Sequence, residues 1–387
     1  MVKDKFFDII VHMSSVMDEP IWVAGPTALK NMVDVLVRQS SIGVDTESNS
    51  LFAYQEQVCL IQFTAEGKDY LVDPLSLHDL SVLGPIFANP NIEKIFHASE
   101  YDLICLKRDF GFEFNNLFDT MLAARIAGRA GLGLATILEE EFGVQVDKRY
   151  QRANWAQRPL TREMMAYARM DTHYLIELRA ILAKQLVVTG RAALAEEDFL
   201  RMTRVSGNNH HSDAGSCWRI SGAQDLTPRQ AAVLMELCDF REERARAIDQ
   251  PPFRVLSNQT LLELARLMPR KRSELNQVTG LSQKLVDRYG SALLSAVERG
   301  IVGPPAYRPV MQRPSEAMLG RLDSLRTWRK LTARDMGVES DIILPRDVME
   351  VIAERAPKTL EELQDIMSEI PWRFEHFGSR ILNIVHS

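Results

Sequence analysis

Carboxylates at three places in the first half of the chain have the types and spacing to hold metal ions. In SIGVDTES, Asp45 and Glu47 stand two residues apart in a strand-like stretch, so both side chains project from one face. Two acids near the end of an apolar strand are costly to desolvate unless cations or hydrogen-bond donors meet them, although D-x-E alone also describes a solvated strand end. Asp102 follows the strand-like IEKIFHAS at the start of a helical stretch, where an acid equally serves the helix amino end. His97, at the same strand exit, can approach a substrate or simply pack. In YARMD, Tyr167 and Asp171 are four apart on a periodic helix and share a face. A phenol beside a carboxylate can orient water; a packing tyrosine with an exposed aspartate fits the pentapeptide as well.

Such a set suits phosphodiester hydrolysis, which needs an in-line nucleophile and compensation for charge on the phosphoryl group. Two divalent ions about 3.5–4 Å apart supply both. All-oxygen ligands select magnesium or manganese rather than zinc. Residues 147–169 add the cations Lys148, Arg149, Arg152, Arg158, Arg162 and Arg169, with Tyr150 and Trp155 interleaved. Cations neutralise phosphates and aromatic faces stack on bases, at about 1–3 kcal/mol per base, which fits a single-stranded tail. Arg162 and Arg169 read equally as a solvated helix surface.

The elements that must position these groups are legible as periods. SIGVDTES, QVCLIQF and DYLVDP predict three strands joined by short turns such as TAEGKD, an antiparallel meander, while the later strand, helix and strand predict parallel additions to the same sheet. The expectation is an α/β domain with a mixed sheet. From about Leu132 strand signals give way to amphipathic helices such as TREMMAYARMDTHYLIELRAILAKQL. Linkers are expected at residues 204–217, rich in Ser, Gly, Asn and His, and at residues 303–314, rich in Pro. They divide the chain into a first domain at 1–203 and helical domains at 218–302 and 315–387. The two helical segments look like copies: each has an apolar helix, a proline, an EL-containing helix and a G-S-x-x-L ending. Two copies make tandem domains, not a solenoid.

The order V-D-T-E, then H-A-x-x-x-D, then Y-x-x-x-D resembles the three exonuclease motifs of the DEDD superfamily in its tyrosine branch, and within it the ribonuclease D family. FDT at 118–120, LGLATILEEEFG and WAQRPLTREMMAYARMDTHYL look like segments of that family, and the tandem helical copies resemble the helicase-and-ribonuclease-D C-terminal (HRDC) domain. The resemblance implies a ribonuclease H-like α/β exonuclease domain followed by two small all-α HRDC-like domains. It implies a metal-dependent 3′→5′ exoribonuclease acting on RNA 3′ ends, with transfer-RNA precursors as substrates, in a cytoplasmic monomer. Asp45, Glu47 and Asp171 would share one ion, with Asp45 bridging. Asp102 would act mostly through water on the other, and Tyr167 would position the attacking water. His97, Lys148, Arg149, Arg152, Trp155 and Arg158 would contact substrate. The chain departs from the expected pattern where Ala153 and Asn154 replace a small residue and an acid before Trp155. Asn154 keeps hydrogen-bonding capacity without charge.

Composition bounds these readings. At 387 residues the chain exceeds a single core, and 46% hydrophobic with 25% charged residues is ordinary for a globular protein. A net charge of −6 argues against coating nucleic acid through overall positive charge but allows a carboxylate metal site. The four cysteines form no C-x-x-C pair, so neither a disulfide framework nor a zinc ribbon is expected and a reducing cytosol is the default. No apolar run approaches membrane-spanning length and the amino terminus lacks a cleavage pattern, so neither secretion nor a membrane anchor is expected. Two rivals remain at this level: a DNA 3′→5′ exonuclease of the proofreading or Werner type, and an inactive nucleic-acid-binding scaffold. No P-loop of the G-x-x-x-x-G-K-[ST] form is present to place a helicase beside the first.

Overall fold

The computed structural model describes residues 18–207, 216–309 and 313–386. The amino-terminal stretch read for a leader, and the middles of both expected linkers, lie outside the described residues. The chain divides into two compact units. One joins residues up to Glu47 with Val58–Asn208 and Pro314–Ser387; the other joins Ser48–Gln57 with Asn209–Arg313.

The first unit is built on a six-stranded sheet in the order β1-β4-β3-β2-β5-β6: β1 Ile21–Val23, β2 Ser41–Ser48, β3 Val58–Ala65, β4 Lys68–Val72, β5 Glu93–Phe96 and β6 Leu117–Asp119. The strands β3 and β4 are antiparallel, joined through Glu66 and Gly67 with φ of 52° and 69°, the paired left-handed residues of a tight hairpin turn. Parallel pairing of β5 to β2 and of β6 to β5 supplies the expected additions, so the sheet is mixed. The edge strand β1, IWV, parallel to β4, has no counterpart among the sequence-based expectations; three residues are too short to show a period. Every residue of β3 is buried, as befits a central strand covered on both faces.

Helices α1 Pro26–Leu36, α2 Glu100–Phe110, α3 Thr120–Ala127, α4 Leu134–Phe142, α5 Arg162–His173, α6 Leu175–Val188 and α7 Ala192–Met202 complete the first part of this unit. The seat of α5 on the sheet is fixed by one glycine and one acid. A Cβ at Gly43 on β2 would come within 2.9 Å of the Thr172 carbonyl oxygen, so only glycine admits the helix this close. Asp69 on β4 then collects α5: Arg169 at 2.9 Å, His173 Nδ1 at 2.8 Å and, through Thr64, the Thr172 hydroxyl.

The second helical copy belongs to the same unit: α11 Glu316–Met336, α12 Arg346–Arg355, α13 Leu360–Ile366 and α14 Pro371–His386. Its Ile342 and Trp372 join the core of the sheet domain. Arg373, fully buried, pairs with Glu197 and, at 2.8 Å, with Asp198 on α7, and donates to the Ile342 carbonyl. Arg125 with Glu339 and Asp341, and Arg201 with Asp347, ring this contact.

In the second unit the first helical copy forms α8 Pro228–Ala247, α9 Asn258–Leu267 and α10 Gln283–Val302. Thr227 and Gln230 make a capping box at the start of α8, with Pro228 at the first helical position. Gly300 on α10 lets the backbone of Val233 on α8 approach, since a Cβ there would lie 2.4 Å from the Val233 Cα. Where no disulfide framework is expected, a single disulfide joins Cys217 and Cys238, while Cys59 and Cys105 are buried in the sheet domain. Spacing of 21 residues carries no signal that α8 will bring the two sulfurs together.

Candidate metal centre of the exonuclease domain

The strand β2 ends in the candidate site. Asp45 and Glu47 project from it, α5 delivers Asp171, and one oxygen from each of the three carboxylates lies within 4.8 Å of the others. Asp102 enters from the first turn of α2, buried, and accepts a short hydrogen bond from the Thr46 hydroxyl, which ties it to β2 between the other two acids. Gln62 on β3 reaches Asp45 Oδ2 at 3.4 Å.

Burial and mutual repulsion shape the electrostatics. Burial first, then the charges of Asp102, Asp171 and Glu47, hold the Asp45 carboxyl well above its usual range. Glu47 is raised by burial and by Asp171 and Asp102. Burial pushes Asp102 up to about 7, opposed by its hydrogen bond from Thr46, and burial with the charge of Asp102 takes Asp171 to about 7 as well. Neither Lys nor Arg neutralises the cluster in any ion pair among the described residues. Acids packed in this way need cations, and an all-oxygen donor set suits hard divalent ions.

Tyr167 lies one helical turn before Asp171 on α5. Its phenol is raised far above its ordinary value by burial and by the neighbouring acids, so it keeps its proton at neutral pH. The ring sits 6.0 Å from Trp155 and 6.1 Å from Tyr150.

The expected substrate contacts divide. Lys148, Arg149 and Arg152 are exposed, Arg149 with Asp147 at 2.6 Å. Trp155 is only 1% exposed: it is the centre of a small core with Cys59, Leu71 and Met164, so it offers no face to a base. Arg158 is likewise committed, bonding Asp73 at 2.6 Å and the Cys59 carbonyl at 2.7 Å. Both pin the 150–160 segment to the sheet, which corrects the stacking and phosphate roles expected for them. Arg169, read as a solvated surface cation, is instead buried against Asp69. Asn154 Oδ1 accepts from the Ala156 amide, a turn bond that needs no charge. His97 Nδ1 lies 2.9 Å from Thr120 Oγ1, whose own proton goes to the Phe96 carbonyl, and burial lowers its pKa.

Sequence reasoning passed over Asp119. Buried at the end of β6, it accepts from the amides of Ala98, Ser99 and Leu122 and from the Ser99 hydroxyl. It thereby fixes the turn at Ala98, with φ of 63°, that launches the helix bearing Asp102. The available signal was an acid preceding a helical run, the N-cap pattern.

Comparison with known proteins identifies the domains. Residues 20–187 match a 3′-5′ exonuclease family model, and residues 230–297 and 318–385 each match the HRDC domain. The chain is 30% identical over 290 residues to ribonuclease D of Desulfotalea psychrophila, covering 74% of this chain and 77% of that one. The chain belongs to the ribonuclease D family. Escherichia coli RNase D, described as an exoribonuclease involved in structured RNA processing, superposes with a TM-score of 0.70 at 26% identity, covering 95% of this chain and 99% of that one. The exosome exonuclease RRP6 of Saccharomyces cerevisiae is 34% identical over 265 residues, 65% of this chain but only 36% of that larger protein. As a ribonuclease D homologue the chain is a metal-dependent 3′→5′ exoribonuclease.

Proposed function

We propose that Asp45, Glu47, Asp102 and Asp171 hold two magnesium or manganese ions and that Tyr167 orients the attacking water during removal of nucleoside 5′-monophosphates from RNA 3′ ends. The observation that carries this reading is the convergence of three acids from β2 and α5 with a fourth tied to them through Thr46. Bound divalent ions supply a deprotonated nucleophile and compensation for charge on the leaving 3′ oxygen. The chain's own groups do the rest. The carboxylates give up their protons to bind cations. The Tyr167 hydroxyl, held protonated by burial, donates to one partner while accepting from another and so fixes a water beside Asp171. The exposed Lys148, Arg149 and Arg152 meet the phosphates of the incoming strand, and His97, kept neutral by burial, stands at the strand exit nearest Asp102 without carrying charge.

Substrates in this reading are transfer-RNA precursors with free 3′ tails, and the enzyme acts as a cytoplasmic monomer; among the described residues no helix is long and apolar enough to cross a membrane. Family membership supports RNA over DNA. The test follows 5′-labelled transfer-RNA precursor, short RNA and matched DNA on gels with manganese, magnesium or chelator. The expected result is a metal-dependent ladder shrinking from the 3′ end of both RNAs, reduced but not abolished in Tyr167→Phe. A ladder on DNA alone would favour a proofreading-type enzyme; RNA binding without cleavage would favour a scaffold.

A further inference from the structure

Gln62 stands in the middle of β3, fully buried, in a strand whose side chains are otherwise apolar apart from Thr64. Alternation puts Gln62 and Thr64 on one face of β3, as it puts Gly43, Asp45 and Glu47 on one face of β2. Both faces turn to α5: Thr64 bonds the Thr172 hydroxyl at 2.8 Å, and Gly43 makes room for the Thr172 carbonyl. The Thr64 hydroxyl is satisfied there and at Asp69, 2.8 Å away. The Gln62 amide is not. Its Nε2 reaches Asp45 Oδ2 at 3.4 Å, a long bond, and its Oε1 is buried with no hydrogen-bond partner among the described residues. Asp45 decides which way the amide faces, since an ionised carboxylate accepts from the NH2 group and has nothing to give the carbonyl. A primary amide left in this state inside a sheet detracts from stability, and an apolar side chain of the same size would fill the space without that cost.

We infer that Gln62 is a positioning residue of the metal centre: its NH2 group orients the Asp45 carboxylate, and its carbonyl accepts a hydrogen bond from water carried by the ion that Asp45 binds. Buried carbonyls are satisfied as a rule, and this one belongs to the side chain that touches the central acid of the cluster. The neighbouring carboxylates are acceptors only once ionised, whereas a hydrated divalent ion brings donors. Asp45 needs such a partner. It is repelled by Asp102, Asp171 and Glu47, and among the described residues the Thr46 amide and Gln62 are the donors that meet its carboxylate. Groups that hydrogen-bond a ligating side chain fix its direction, and losing one costs roughly 10–100-fold in metal affinity. The inference rests on the reading of Asp45 as a metal ligand, and all of its residues lie in the unit built on the sheet.

The experiment measures manganese binding to the full-length protein by titration calorimetry, alongside kcat and KM on a short unstructured RNA and thermal midpoints without metal. Gln62→Met keeps about the length and volume of the side chain and removes the amide. It is expected to melt at or above the wild-type midpoint, yet to bind manganese about tenfold more weakly and to lose kcat to a similar extent, with KM little changed. A residue needed only for packing would show the opposite: a lower midpoint with manganese affinity intact. Leu182→Ala, in the core of the same unit on α6, which carries none of the four acids, should behave in that second way. Wild-type manganese affinity and kcat in Gln62→Met would overturn the positioning role while leaving the ligand reading intact, provided Asp45→Asn loses manganese. Loss of the cooperative melt in Gln62→Met, or equal weakening of manganese binding in Leu182→Ala, would also overturn it, reducing Gln62 to a structural residue. Undiminished manganese binding in Asp45→Asn would remove the ligand reading and this inference with it.

Discussion

The two HRDC copies match the same family model, yet the chain uses them differently. The second is part of the exonuclease body: Arg373 is buried with Glu197 and Asp198, and Trp372 joins the sheet domain's core. The first has its own core, closed by a disulfide, and packs with residues 48–57 through Tyr54. It also exposes Arg270 and Lys271 after α9 and Lys284 and Arg288 on the first turns of α10. One module is thus built into the exonuclease body in one copy and belongs to a separate compact unit in the other.

The largest effect that would sharpen this contrast is expected from ending the chain at residue 313. Without the second copy, Glu197 and Asp198 lose Arg373 and the core of the sheet domain loses Ile342 and Trp372, and unpaired buried acids are strongly destabilising. Loss of a cooperative melt and of cleavage even on short RNA is expected; a truncated chain that melts and cleaves short RNA like the full one, losing only structured RNA, would return the second copy to the role of a tethered gripping module. Arg373→Met isolates the charge. It should cost about 3–5 kcal/mol in urea unfolding, since it strands two buried carboxylates, and a change within about 0.5 kcal/mol would contradict a second copy built into the exonuclease body.

For the first copy a binding effect without a stability effect is expected. Replacing Arg270, Lys271 and Lys284 together by alanine should weaken structured-RNA binding and flatten its salt dependence, leaving the melt unchanged. Unaltered binding would place the RNA contact elsewhere. The smallest effect concerns pH. Burial outweighs Arg373 and raises the Glu197 carboxyl above its usual value. The folded state therefore binds this proton more readily than the unfolded one, so the group's contribution is full below its ordinary value of 4.5 and is lost as pH rises through the raised one. Between pH 5 and pH 7 the wild type should lose stability relative to Glu197→Gln; the opposite slope would mean that the pairing with Arg373, not burial, dominates.

How much of this was legible in the sequence follows from the range of the interactions involved. The strands and α5 could be read because period 2 and period 3.6 are local signals, and the acids because two- and four-residue spacings put side chains on one face. The resemblance of ordered motifs linked them across the chain. The roles of Trp155 and Arg158 were misjudged because an aromatic among cations looks the same whether it faces solvent or, as here, packs against Cys59 and Leu71. Their environment depends on β3 and β4, far away in sequence. The Cys217–Cys238 bond, the Asp119 turn and the union of the second copy with the sheet domain are likewise set by tertiary approach, which periodicity does not encode.

The central claim is that the acids at the end of β2 hold the catalytic ions, and Asp45 stands at their centre. The most direct measurement compares wild type and Asp45→Asn, matched in thermal midpoint, on 5′-labelled RNA with manganese. The account predicts a 3′-end ladder for wild type that vanishes with chelator and is absent from Asp45→Asn at all metal concentrations. A full ladder from Asp45→Asn would contradict it.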